Sequence, residues 1–168
     1  MDRISIRSHS VSETMHLAER LAKFLAPGDV IGLVGELGSG KTYFTKGLGK
    51  GLDVRPYNVI SSPSFTLINE YDGRYRIFHI DFYRLDGIAE IRDIGVEEYL
   101  FSDGICVVEW ADKGLGLMPE WTLWVRLFII DEQKRDIVFE AEKGRALDII
   151  QNLKRCSIMR ALNLSKLS

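Results

Sequence analysis

The stretch Val30-Ile31-Gly32-Leu33-Val34-Gly35-Glu36-Leu37-Gly38-Ser39-Gly40-Lys41-Thr42-Tyr43 decides the fold of this chain. Its first five residues are an apolar run of strand length, as expected of a strand buried on both faces of a sheet. The next eight, Gly35 through Thr42, fit the pattern G-x-x-x-x-G-K-[ST], and the residues up to about Leu52 read as a helix. Strand, glycine-rich turn and helix in that order form the context in which this pattern holds phosphate. The backbone N–H groups of the loop converge on a β-phosphate, the helix N-terminus adds positive potential, and the Lys41 ammonium bridges the β- and γ-phosphates. The Thr42 hydroxyl is then placed for Mg²⁺. Gly47, Gly49 and Gly51 oppose the helix, each costing about 1 kcal/mol relative to Ala in a helix interior. Either the end of this helix frays, or its backbone packs closely on another element.

Working outward, Ser10 and Glu13 have capping-box spacing, and Leu17, Leu21 and Leu25 recur every four residues with Ala18 and Ala22 beside them. They predict an amphipathic helix that stops at Pro27-Gly28. On the other side, residues 65–71 and 75–81 flank Asp72-Gly73, which predicts an antiparallel hairpin whose two turn positions favour positive φ. Residues 88–100 read as helix broken at Gly95, and Gly104 introduces the buried run Ile105-Cys106-Val107-Val108, a central strand ending at Glu109-Trp110. Residues 121–130 and 137–141 predict a second hairpin, and a helix from Arg145 to about Leu162 closes the chain. The fold class is α/β, with hairpins interrupting the alternation.

The chain has 168 residues, 22 Lys and Arg, 24 Asp and Glu, and a formal net charge of −2. No overall basic field exists to grip a nucleic-acid backbone, so any such role is local or runs through a partner. The length suits one domain, burying about 70% of its unfolded surface. The 46% hydrophobic and 27% charged fractions match ordinary globular proteins. No apolar run approaches the ~20 residues that span a bilayer, and the first residues lack the basic and apolar segments of a secretory signal. A cytoplasmic protein is expected. Cys106 and Cys156 lack CxxC spacing and read as incidental thiols. From Ile149 onward the sequence has no acid, while Lys154, Arg155, Arg160 and Lys166 are basic, so residues 154–168 read as a basic extension to a domain of residues 1–153.

A phosphate loop needs an acid for its metal or for an attacking water. Glu109, at the tip of the most continuously apolar strand, would approach Thr42 if that strand lies beside the loop strand; otherwise it is a solvent-facing acid. Asp81 ends a hairpin strand, with His79 two residues earlier on the same face. Together they either orient water or a switch segment, or form a structural His–Asp pair. His9, His16 and His79 lack the clustered spacing of a metal site. Ser62-Pro63-Ser64-Phe65-Thr66 is a hydroxyl-rich segment that reads as a plain turn or as a loop sensing a γ-phosphate.

Taken together and in this order, the phosphate loop, Ser62-Pro63-Ser64-Phe65-Thr66-Leu67, His79-Ile80-Asp81-Phe82-Tyr83-Arg84-Leu85 and Val108-Glu109-Trp110 resemble the bacterial TsaE family, over roughly residues 10–153. The resemblance implies a small three-layer P-loop NTPase fold with a central parallel sheet flanked by antiparallel strands. It implies the ATPase required for forming threonylcarbamoyladenosine beside the tRNA anticodon, with TsaD and TsaB as protein partners and tRNA met through them. Carried over residue by residue, Lys41 binds phosphate, Thr42 and Glu109 hold Mg²⁺, and residues 62–66 form a first switch and residues 79–85 a second. Within those switches Ser62, Ser64, Thr66, His79, Asp81, Tyr83 and Arg84 carry the hydroxyls, charges and rings. Thr14 and Arg135 match nucleotide-contacting positions. Ser64 and Tyr43 stand where the family commonly has Thr, and the basic extension runs past the usual family end. The expected chemistry is hydrolysis of ATP to ADP and phosphate, with Glu109 or Asp81 positioning the water. A nucleotide-gated binding module and a small-molecule kinase share the phosphate loop; a GTPase fits less well, because no Asn-Lys-x-Asp sequence occurs.

Overall fold

The computed structural model describes the backbone of residues 1–165 and the side chains of residues 1–156. Lys166 of the expected basic extension lies outside the described residues, as does the side chain of Arg160. Seven strands form one sheet: β1 (Asp2–Ser8), β2 (Val30–Val34), β3 (Ile68–Asp72), β4 (Arg76–Asp81), β5 (Ile105–Glu109), β6 (Leu123–Ile129) and β7 (Arg135–Ala141). Their spatial order is β1-β7-β6-β2-β5-β4-β3. The inner four, β6, β2, β5 and β4, run parallel, and β3, β7 and β1 are added antiparallel at the flanks. The expected parallel centre with antiparallel margins is what forms.

Alternation along β5 explains its position. Ile105 and Val107 enter one core while Cys106 and Val108 enter the other, so the strand is buried on both faces. The first core lies between the sheet and α1 (Val11–Ala22), α2 (Lys41–Gly51) and α5 (Arg145–Ser165). The second lies under α3 (Ile88–Asp93) and α4 (Val96–Leu100), on the opposite face. Gly95 separates these two short helices with φ +72°, where the chain breaks as expected.

Two of the three glycines of α2 are explained by packing against α1. A Cβ on Gly47 would lie 2.2 Å from the Met15 carbonyl oxygen and 2.8 Å from Ala18 Cβ; one on Gly51 would lie 2.5 Å from the Glu19 carbonyl oxygen and 2.6 Å from Ala22 Cβ. Gly47 and Gly51 are one turn apart and face Ala18 and Ala22, also one turn apart, so two small-residue ridges let the backbones of α1 and α2 touch. The N-cap of α1 is as read, with the Ser10 side chain accepting from Glu13 N.

Four local readings are corrected. The 73–75 hairpin forms, but neither Asp72 nor Gly73 has positive φ. Gly73 is needed instead because a Cβ there would meet the Leu52 carbonyl oxygen at 2.2 Å, the same oxygen that accepts from Arg74 N. The strand expected from residue 65 begins only at Ile68, because Leu67 closes a turn onto Pro63 with φ +68°. The strand expected from residue 121 begins at Leu123, after Thr122 turns back onto the Pro119 carbonyl through both its N–H and its hydroxyl. Finally, β1 was not anticipated. Its alternating Arg3-Ile4-Ser5-Ile6-Arg7 places Ile4 and Ile6 against the first core and pairs with all seven residues of β7.

Along the C-terminal side, α5 runs unbroken from Arg145 past residue 153, and Lys154 is ion-paired with Asp2 of β1. None of the described helices is long and apolar enough to cross a membrane.

Candidate functional site

Parallel register assembles the site. β2, β5 and β4 end on the same edge of the sheet, with Leu33 and Asp81 both in register with Glu109. The loop that leaves β2 therefore sits beside two strand-end carboxylates, where open parallel sheets bind ligands. Gly38 and Gly40 take positive φ, +81° and +102°, as the loop curls into the start of α2. At Gly35 the loop is closed tightly, since a Cβ would lie 2.4 Å from Ser39 Oγ and 2.8 Å from the Leu127 carbonyl oxygen. The cleft holds about 370 Å³, and its walls include Leu37, Gly38, Gly40, Lys41, Thr42 and Tyr43 from the loop and helix start. Ser62, Ser64, Asp81, Tyr83, Glu109 and Trp110 complete it.

Lys41 is 5% exposed, and its ammonium donates to the carbonyls of Gly35 and Glu36, the latter at 3.1 Å, and to Ser39 Oγ at 3.4 Å. It also lies 4.2 Å over the ring of Trp110. Burial holds this ammonium below the usual lysine value, against the opposing pull of Glu109 and Asp81. A cation so desolvated gains strongly from an anion brought within reach. Thr42 Oγ1 donates to Glu109 Oε1 at 3.1 Å and lies 3.4 Å from Oε2, so the adjacency required of Glu109 is met. A hydroxyl and a carboxylate on one side of a phosphate-sized loop are the oxygen donors that suit Mg²⁺, which takes few protein ligands and completes its shell with phosphate oxygens and water.

Asp81 is 2% exposed and both of its oxygens are engaged. Oδ2 accepts from Ser62 Oγ at 2.5 Å, and Oδ1 from the backbone N–H of Tyr83 at 2.7 Å. This acid therefore joins the two segments that the sequence singled out. The structural pair weighed for His79 is different from the one expected: its Nε2 lies 2.8 Å from Glu109 Oε1, not against Asp81. The register between β4 and β5, which sequence cannot supply, decides this.

The remaining expected residues divide. Arg135 reaches the loop, with Nε donating to Ser39 O at 3.0 Å and Nη2 to Gly38 O at 3.1 Å. Thr14 is buried, with its hydroxyl 2.7 Å from that of Ser8, and it does not line the cleft. Thr66 bonds Asn69 away from the cleft, and Arg84 stacks 4.1 Å over the exposed ring of Phe65. Two residues have a part in the site that the sequence reading does not assign, although Trp110 belongs to one of its motifs. Trp110, held at φ +56°, places its ring between Lys41 and Tyr83, 5.1 Å from the latter. Lys113 donates to the carbonyls of Tyr83 at 2.6 Å and Leu85 at 3.1 Å, pinning the segment after β4. An aromatic residue directly after a strand-end acid was the available signal for the first. A larger groove of about 660 Å³, between β1, α1 and the end of α5, contains none of the motif residues.

The sequence model described as "Threonylcarbamoyl adenosine biosynthesis protein TsaE" matches residues 8–137. The tRNA threonylcarbamoyladenosine biosynthesis protein TsaE of Bacillus subtilis (strain 168) is 36% identical over 156 residues, covering 92% of this chain and 96% of that protein. The protein of the same name from Treponema pallidum (strain Nichols) is 36% identical over 130 residues, covering 77% and 95%. The crystal structure of Bacillus subtilis YdiB superposes with a TM-score of 0.76 at 34% identity, covering 93% of this chain and 97% of that one.

Proposed function

Since the chain belongs to the TsaE family of tRNA threonylcarbamoyladenosine biosynthesis, we propose that it is a Mg²⁺-dependent ATPase that drives turnover of the threonylcarbamoyl transferase formed by TsaD and TsaB. The observation that carries this reading is the 3.1 Å hydrogen bond from Thr42 to Glu109, in which a strand-end carboxylate meets the hydroxyl of a phosphate loop. A bound nucleotide gives Lys41 phosphate oxygens in exchange for the loop carbonyls it now holds, and the N–H groups at the start of α2 face the same charge. Thr42 and Glu109 would hold Mg²⁺, which supplies charge neutralisation on the phosphate oxygens. In this reading Asp81 aligns the attacking water; its hydrogen bonds to Ser62 and Tyr83 support a coupling of the site to both flanking segments. Water attacks the γ-phosphorus, the bond to the β–γ bridging oxygen breaks, and ADP and phosphate leave.

Nothing in this scheme requires the chain to grip tRNA, which suits its net charge of −2. The test is a reconstituted mixture of this chain, TsaD, TsaB, tRNA, the activated threonylcarbamoyl donor and ATP. Lys41→Ala is expected to abolish ATP-dependent repeated modification. Modification at the wild-type level would overturn the proposal.

A further inference from the structure

The side chain of His79 is completely buried and is placed by a strand whose neighbours Ile77, Phe78 and Ile80 are apolar and buried. A polar ring in such a strand costs free energy unless its hydrogen bonding is satisfied. Only one of its nitrogens is: Nε2 lies 2.8 Å from Glu109 Oε1, while Nδ1 has no hydrogen-bond partner among the described residues. Glu109 is itself 3% exposed, and a buried carboxylate needs donors. The side-chain donors it has among the described residues are the Thr42 hydroxyl and the His79 ring.

These two donors differ in what they can do next. Thr42 Oγ1 carries one proton and is the group that turns toward a cation if the cleft works as proposed, whereas the His79 ring is carried on β4 and has no other acceptor among the described residues. A carboxylate that holds a cation only accepts, so in the proposed site the nitrogen facing it is the donor, Nε2–H. We propose that His79 is a positioning residue for the reaction: it holds Oε1 of Glu109 by an Nε2–H donation from within the core, fixing the carboxylate in the orientation that takes the metal. This inference rests on the reading of the cleft as a Mg-nucleotide site and assigns a role within it that no phosphate-loop pattern contains.

The experiment compares the full-length wild type with His79→Phe, which keeps the volume and removes the donor, and His79→Gln, whose amide nitrogen falls near the position of Nε2. Thermal unfolding and ADP binding without metal establish that each variant is folded. The expected result for His79→Phe is a rise of about 10- to 100-fold in the Mg²⁺ concentration that half-saturates ATP hydrolysis and in that of Mn²⁺ bound with ADP, read by electron paramagnetic resonance. Metal-free ADP binding stays unchanged, and His79→Gln recovers most of the loss. Nitrogen-15 spectra of the wild type should show Nε2 protonated. A His79→Phe metal requirement equal to that of the wild type, or an unprotonated Nε2, overturns the role of His79, and the spectrum decides even if the Phe variant does not fold. A wild type that binds no Mg-nucleotide overturns the reading of the cleft itself and this role with it.

Discussion

Replacing Gly47 by Ala sets two physical effects of opposite sign against each other. By helix propensity alone the change stabilises α2 by about 1 kcal/mol. The structure places the added Cβ 2.2 Å from the Met15 carbonyl oxygen and 2.8 Å from Ala18 Cβ, whereas ordinary contact begins at 3.4 Å. Neither obstacle is a movable side-chain end, so α1 and α2 must separate by about 1 Å in a core packed as densely as an organic crystal. Overpacking of this kind costs about 3 kcal/mol at the upper end of its usual range. The net expectation is destabilisation by about 2 kcal/mol, or about 4–8 °C in the unfolding midpoint for a chain of this size. Urea titration followed by circular dichroism should show a lower midpoint with an unchanged slope. Gly49→Ala is the internal comparison: its Cβ would meet Ile60 Cδ1 at 2.1 Å, but the next neighbours are at 3.6 Å and 3.7 Å. A terminal methyl can swing aside, so this variant should stay within about 1 kcal/mol of the wild type. Gly47→Ala as stable as the wild type, or more so, would refute the close helix seam.

Two further outcomes follow from the site and the second hairpin. Glu109→Gln should lose Mg²⁺-dependent nucleotide affinity, whereas Asp81→Asn should keep that affinity and lose hydrolysis; equilibrium binding and phosphate release measured on the same samples separate them, and identical profiles would sink the division of roles. Asp131 accepts from the N–H groups of Lys134 at 2.7 Å and Gln133 at 2.9 Å, which hold its carboxyl at about 2, below the usual 3.8. The folded state thus favours the ionised form, so this stabilisation is complete above about pH 4 and disappears as pH falls through about 2. The stability gap between wild type and Asp131→Ala should close over that interval, and a carboxyl resonance titrating near 3.8 would contradict it.

The central strand, loop and helix were legible because each signal is local: an apolar run, a spaced pair of glycines, a lysine and a hydroxyl. Glu109 was legible for the same reason, as the first polar residue at the tip of an apolar strand. Asp72-Gly73 announced a hairpin correctly for the wrong cause, because the glycine answers to the Leu52 carbonyl rather than to its own φ. What sequence withheld was register between segments far apart in the chain. Whether His79 faces Asp81 or Glu109 depends on how β4 lies along β5, and whether Gly47 and Gly51 mark a frayed end or a seam depends on where α1 is. Strand β1 carried a readable alternation in Arg3-Ile4-Ser5-Ile6-Arg7, but its partner β7 lies at the other end of the chain, and five alternating residues are a weak signal without it.

The guanidinium of Arg135 has a mechanical consequence. Nη1 grips the turn of the second hairpin through the carbonyls of Asp131 at 2.7 Å and Lys134 at 2.8 Å, while Nε and Nη2 grip Ser39 and Gly38 of the loop. One planar group, rigid across its three nitrogens, thus works as a strut between the phosphate loop and the antiparallel wing of the sheet. This bridge is a second link between them, beside the one that runs through β2, β6 and β7 of the sheet. A load that spreads the loop pulls on the hairpin tip and, through the pairing of Arg135 with Ser8, on the first strand of the chain.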